Sequence, residues 1–135
     1  MKNPIDTIPK NTLSKNLEKL ESISGFKKDW NGYGAEPIPT EVLEKTRKIL
    51  VRLKEKRVPQ PFLAPTATKT IQLEWDNNCF YLEVSVSENK DLEVFLADQI
   101  DVDKGLPLAL EGKCFWDGDL NYLIRLINLF YKKEV

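Results

Sequence analysis

The sequence contains no histidine at all. That single absence removes the commonest general base, every Ser–His and Cys–His catalytic arrangement, and every metal site built on imidazole. Cysteine is scarce as well: Cys79 and Cys114 stand 35 positions apart with no Cys-x-x-Cys spacing, so they read as reduced core thiols rather than as a bridge or a zinc motif. No apolar run reaches the roughly 18 residues that span a bilayer. The longest, residues 120–131, is broken by Asn121, Arg125 and Asn128. Residues 1–11 carry Lys2 and Lys10 with only Pro4, Ile5, Ile8 and Pro9 as apolar or stiff positions between them, which builds no secretory signal. These absences predict a cytoplasmic, non-catalytic protein with no membrane partner.

What is present is the composition of one globular domain: 135 residues, 41% hydrophobic, 10% aromatic and 30% charged. A chain of this size buries about two-thirds of its unfolded surface and needs neither disulfide nor metal to fold. Twenty basic residues balance 21 acidic ones, a net charge of −1, so the whole-chain charge names no partner. The charge is nevertheless segregated. Residues 41–57 hold seven basic and three acidic side chains, a net of +4, whereas residues 70–103 hold one basic and nine acidic, a net of −8.

Residues 1–11 read as a loosely held tail and residues 12–135 as a single α+β domain. Leu13, Leu17, Leu20 and Ile23 recur at helical spacing, and Gly25 ends that helix. A loop with Trp30, Asn31, Gly32, Tyr33, Gly34, Pro37 and Pro39 follows. Thr40 is the expected N-cap of a second helix, whose buried face carries Val42, Leu43, Thr46, Ile49, Leu50 and Leu53 and which stops before Pro59. Pro59, Pro61 and Pro65 make the next stretch extended.

From residue 70 the period changes to alternation, with Ile71, Leu73 and Trp75 on one face. A two-residue turn at Asn77-Asn78 would set Trp75 opposite Phe80, Leu73 opposite Leu82 and Ile71 opposite Val84. A three-residue loop at Glu88, Asn89 and Lys90 leads to a third strand with Leu92, Val94 and Leu96. A further short strand falls at 106–110, and Asp117 or Asp119 caps a last helix running through Lys133. The expected architecture is two N-terminal helices, a three- to four-stranded antiparallel meander, and a C-terminal helix packed on the sheet. Eight large apolar residues within 120–131 exceed one contact stripe, so that helix is covered on a second side by the chain itself or by a copy in a homodimer.

The segment Asp29-Trp30-Asn31-Gly32-Tyr33-Gly34-Ala35-Glu36-Pro37, followed by a helix and the strand Ile71-Gln72-Leu73-Glu74-Trp75, resembles a family of small uncharacterised bacterial proteins. Members of that family pair a Trp-Asp/Asn-Gly-Tyr-x-Ala-x-Pro loop with a strand ending Leu-Glu-Trp, and many carry glycine before that strand where this chain has Lys69 and Thr70. The resemblance covers residues 13–96. It implies a bacterial protein of this architecture and supplies no activity.

Several groupings carry residue types that chemistry could use. Asp29, Asn31 and Gly34 fit positions 1, 3 and 6 of a calcium loop, but Tyr33 and Thr40 fall where oxygen ligands are required. Asp98, Asp101 and Asp103 read as a solvated acidic loop, since Gly105 lies at the wrong offset for a cation site. Glu74, Glu83 and Glu93, interleaved with Gln72, Tyr81, Ser85 and Phe95, occupy the outward face of the meander; the predicted register sets Glu74 opposite Tyr81, Gln72 opposite Glu83, Glu83 opposite Phe95 and Ser85 opposite Glu93. No lysine follows Glu83 or Glu93 at the spacing of a metal-dependent nuclease, so neither a metal nor a cofactor is expected. Tyr81 and Phe95 on a wet face do suggest a partner.

The leading expectation is therefore a protein-interaction module, antitoxin-like or immunity-like, that uses Trp30, Tyr33, Glu74, Tyr81, Glu83, Glu93 and Phe95. The alternatives are a nucleic-acid-binding face on the basic helix at 41–57, through Lys45, Lys48, Arg52 and Lys56, or a small-molecule pocket behind Trp30 and Tyr33.

Overall fold

The computed structural model describes residues 11–76, 80–98, 108–115 and 120–131. Helix α1 (Leu13–Ser24) starts where the extended Thr12 turns its hydroxyl oxygen to accept from the Lys15 amide at 3.2 Å. This side-chain cap satisfies one of the orphan amides of the first turn. Gly25 closes the helix with its amide on the Ser22 carbonyl at 3.1 Å, in a right-handed conformation.

Helix α2 (Thr40–Glu55) begins one residue earlier than its expected cap allowed. Thr40 is its first helical residue, and Pro39 supplies the carbonyl that accepts from Val42 and Leu43 at 3.0 and 3.1 Å, with no side chain capping the end. The far end closes as a Schellman motif: Val58 donates to the Leu53 carbonyl at 2.9 Å, Arg57 donates to that of Lys54 at 3.1 Å, and Arg57 takes the left-handed conformation at φ 58°. Val58 is buried beyond it, which anchors the chain as it leaves the helix.

Five strands follow in sequence order, each antiparallel to the next: β1 (Phe62–Pro65), β2 (Ile71–Asp76), β3 (Phe80–Val86), β4 (Asp91–Asp98) and β5 (Leu108–Phe115). The sheet is the expected meander with more strands than predicted. The proline-rich stretch hid β1, which is a strand because it lies at the sheet edge, where a residue lacking an N–H removes no ladder bond. Strand β5 is longer and starts later than the predicted 106–110. Lys69, where the resembling family carries glycine, holds φ 68° in the β1–β2 connection, and Thr66 donates to the Thr70 carbonyl at 2.9 Å across it.

The β2–β3 register differs from the predicted one by two residues: Trp75 pairs with Leu82, Leu73 with Val84, Ile71 with Val86, Asp76 with Tyr81, Glu74 with Glu83 and Gln72 with Ser85. A shift of two leaves every side chain on its own face, so the apolar pattern alone does not separate the two registers. The observed one gives Val86 a buried partner in Ile71, which the predicted one would leave unpaired with β2, and leaves Phe80 only half-buried. The β3–β4 register is as predicted, with Glu83 opposite Phe95 and Ser85 opposite Glu93.

One face of the sheet is the core. Ile71, Leu73, Trp75, Leu82, Val84, Val86, Leu92 and Val94 are buried there against Val42, Ile49, Leu50 and Leu53 of α2 and against Leu123, Ile124 and Ile127 of α3 (Asn121–Tyr131). The Trp75 indole N–H donates to the Pro59 carbonyl at 2.8 Å, so its one polar atom is satisfied in the core. Helix α1 lies against α2 and the β1 edge. Residues 1–10, the expected turn at Asn77-Asn78, Cys79, the acidic stretch with Asp101 and Asp103, and the expected helix limits Asp117, Asp119 and Lys133 lie outside the described residues. No helix among the described residues is long and apolar enough to cross a membrane.

Candidate functional site

Helices α2 and α3 pack on the inner face and α1 on α2 and the β1 edge, so among the described residues no helix covers the opposite face of the sheet, and strand alternation decides what it shows. Reading across the strands, Phe62 pairs with Glu74, Glu74 with Glu83 and Glu83 with Phe95, which lines up aromatic, carboxylate, carboxylate, aromatic in one transverse row. Beside it lie Gln72, Ser85 and Glu93, and on the other side Asp76 and Tyr81. The structure thus brings together five sequence-predicted residues, Glu74, Tyr81, Glu83, Glu93 and Phe95, on one surface.

Two carboxylates directly opposite each other on neighbouring strands are a destabilising pair. Tyr81 relieves part of this by donating its hydroxyl to Glu83 Oε1 at 2.9 Å. Burial first, and then the hydrogen bond and the charges of Glu83 and Glu74, raise the Tyr81 pKa, because each disfavours the phenolate. The Tyr81 ring stands edge-on to Phe95 with centroids 6.3 Å apart. Tyr81 and Phe95 are both half-buried, although no element of the described chain is stacked on this face.

Two members of the face were not foreseen. Phe62 is 49% exposed, and its partner is Lys19 of α1, whose ammonium sits 4.0 Å from the ring centroid and donates to the Leu63 carbonyl at 2.6 Å. Desolvation lowers the Lys19 pKa, while the charge of Glu74 opposes that shift. Phe62 was obscured by the prolines around it. Lys19 carried no sequence signal, since a lysine on the polar side of a helix looks solvated until the β1 edge is brought beneath it.

The basic helix is altered by the fold. Lys45, expected on a phosphate-binding surface, is only 8% exposed and donates to the Ser87 and Asn89 carbonyls at 2.8 and 2.7 Å, clamping the β3–β4 loop to α2. Arg52 is half-buried; Lys48 and Lys56 are exposed. Arg47, Lys48 and Lys54 are exposed on the side of α2 away from its buried stripe.

Trp30 and Tyr33 do not wall a common groove. The Trp30 ring stacks on Phe26 at 4.9 Å and its N–H donates to the Glu36 carbonyl at 2.7 Å, whereas Tyr33 is 91% exposed. The loop between them is closed on itself: Asp29 Oδ1 accepts from Gly34 at 2.6 Å, and Asn31 Oδ1 accepts from Tyr33 and Ala35 at 2.8 and 3.2 Å. Gly32 and Gly34, at φ 78° and 81°, supply the left-handed conformations this requires. The oxygens that fitted a calcium frame are thus turned onto loop amides, and no cluster of three or more Asp, Glu, Cys or His side chains placed to hold a metal occurs among the described residues. A cleft of about 400 Å³ lies between α1 and α2, floored by Leu17, Leu20, Ile38 and Leu43.

Comparison with protein families, with curated proteins and with solved structures returns no match to this chain.

Proposed function

We propose that this chain is a non-catalytic protein-interaction module of the bacterial cytoplasm, of the antitoxin-like or immunity-like kind, and that its working surface is the open face of the sheet. The observation that carries this reading is the transverse row Phe62, Glu74, Glu83, Phe95 with Tyr81 beside it. Half-buried aromatics among carboxylates on an otherwise solvated sheet are costly to display to water and are what a partner of positive charge would cover. The acidic field of residues 70–103 steers such a partner, while the basic side of α2 faces the other way and orients the encounter.

Affinity purification from the native cell with mass spectrometry tests the reading when run on two baits: the wild-type chain and a variant with Glu83→Lys and Glu93→Lys. The variant must first show the wild-type circular dichroism spectrum. Proteins recovered by the wild type and lost from the variant are the expected result. A set of recovered proteins unchanged by the two reversals would place the interaction on another surface.

A further inference from the structure

Within the open face, the arrangement of Glu74 and Glu83 is more specific than an acidic patch. They are register partners at adjacent positions in the middle of the sheet, held among Phe62, Tyr81 and Phe95 rather than splayed at an edge. Tyr81 has a single proton to donate and gives it to Glu83 Oε1, so the hydroxyl takes up only a small part of the acceptor capacity of the pair. At the β1 end of the same row a cation is already seated: the Lys19 ammonium lies over the Phe62 ring, within the field of Glu74. The row therefore shows, within the chain, the contact it makes with positive charge. On β4, Phe95 offers a second ring next to Glu83, and the register continues to β5 with Glu111 opposite Phe95 and Lys113 opposite Glu93.

We infer that the Glu74, Glu83 and Phe95 part of the row seats an arginine side chain from a basic, extended segment of the protein partner, an inference that rests on the interaction reading above. A guanidinium is planar, presents parallel N–H groups to carboxylate oxygens and stacks on an aromatic ring at the same time. A lysine ammonium can form the charge contact but not the fork or the stack. Divalent metal does not suit the site, because two carboxylates and a phenol that donates to one of them fall short of the oxygen count such ions take. Nucleic acid does not suit it either, since phosphates would meet the carboxylates of Glu74 and Glu83 at its centre.

The test is a titration of isotope-labelled protein by two-dimensional NMR with three short blocked peptides, carrying arginine, lysine or citrulline at alternate serine-spaced positions. The arginine peptide should saturate with shifts confined to the amides of residues 72–76, 81–85 and 92–96. It should bind about tenfold more tightly than the lysine peptide, as expected for a charge-assisted fork over a point charge. Citrulline, with the same shape and no charge, should not bind. Glu83→Gln should weaken the arginine peptide about tenfold without lowering the melting temperature, because it removes a like-charge pair while keeping an acceptor for Tyr81. Phe95→Leu preserves bulk in the sheet and should reduce the preference for arginine over lysine. Equal affinity for arginine and lysine, shifts outside those segments, insensitivity to Glu83→Gln, or no binding at low salt would each overturn the inference. If the arginine peptide fails while Glu83→Lys with Glu93→Lys still abolishes capture of a cellular partner, the arginine seat falls and the interaction face stands.

Discussion

At the scale of single residues, the polar side chains that sequence patterning assigned to solvent are where tertiary structure has most to say. Asn16, on a helix read only for its leucines, is buried and donates to Gln60 Oε1 at 3.0 Å and to the Pro61 carbonyl at 3.1 Å, joining α1 to the strand that follows α2. Lys45 does the same for the β3–β4 loop. Lys45→Met keeps the stem and removes both bonds, so it should lower stability by about 1–2 kcal/mol in urea unfolding, leaving two carbonyls without their donor. Lys48→Met, one residue-type match on the exposed side, should change it by less than about 0.5 kcal/mol. Equal effects would show that the clamp contributes nothing. Tyr81 gives a second test. Its folded pKa lies above the ordinary 10.0, so the folded state holds the phenol proton more strongly than the unfolded chain does. The stability it contributes is therefore present below that pH and is lost as the pH climbs toward its folded value. Phenolate absorbance should show a late-ionising component that Tyr81→Phe deletes; a titration unchanged by the substitution would mean the hydroxyl is not held by Glu83.

At the scale of elements, the ends and pairings of the helices and strands can be perturbed separately from the face. Arg57 holds a left-handed position that costs a branched-Cβ-free but non-glycine residue about 1 kcal/mol. Arg57→Gly at this C′ site should raise the stability by about 0.5–1 kcal/mol, read as a higher melting temperature, since the Schellman bonds are retained. A lower melting temperature would show that the arginine side chain supports the turn. In the sheet, Leu73 and Leu82 are fully buried, and alanine at either should cost about 2–5 kcal/mol. Near-neutral denaturation midpoints for both would mean that the inner face is not the core. The helices were legible because leucine and isoleucine recur on one side of each. The β2–β3 pairing was not, because a two-residue shift preserves the faces and only the packing of Val86 against its neighbours chooses between the alternatives.

At the scale of the molecule, charge is sorted to two sides. The inner face of the sheet takes α2 by its apolar stripe, so the exposed Arg47, Lys48, Lys54 and Lys56 lie away from Glu74, Glu83 and Glu93. With Lys45 turned inward and Glu41, Glu44 and Glu55 among the exposed lysines, α2 lacks the continuous phosphate-tracking stripe of a nucleic-acid surface. Neither DNA nor RNA should be retarded in a gel at low salt, where such contacts are strongest. Retardation that disappears on Lys48→Glu with Lys56→Glu would restore the basic helix as a binding surface. Tyr122 and Leu129 are each 59% exposed on α3, whereas Leu123, Ile124 and Ile127 enter the core, so among the described residues the apolar side chains of that segment are divided between core and surface.

The sequence by itself determined the fold class, the two N-terminal helices, the meander and the face on which Glu83, Glu93, Tyr81 and Phe95 lie, because these follow from periods of 3.6 and 2 and from short connections that leave little choice. Gly32 and Gly34 make left-handed conformations accessible to the tryptophan loop, and the structure uses both. Only the tertiary structure decided that Glu74 faces Glu83, that Phe62 joins them, that Lys19 reaches over the β1 edge and that Lys45 leaves the surface. Each of these joins residues distant in sequence or depends on a register that the alternating pattern does not distinguish, and packing of the inner face chooses it.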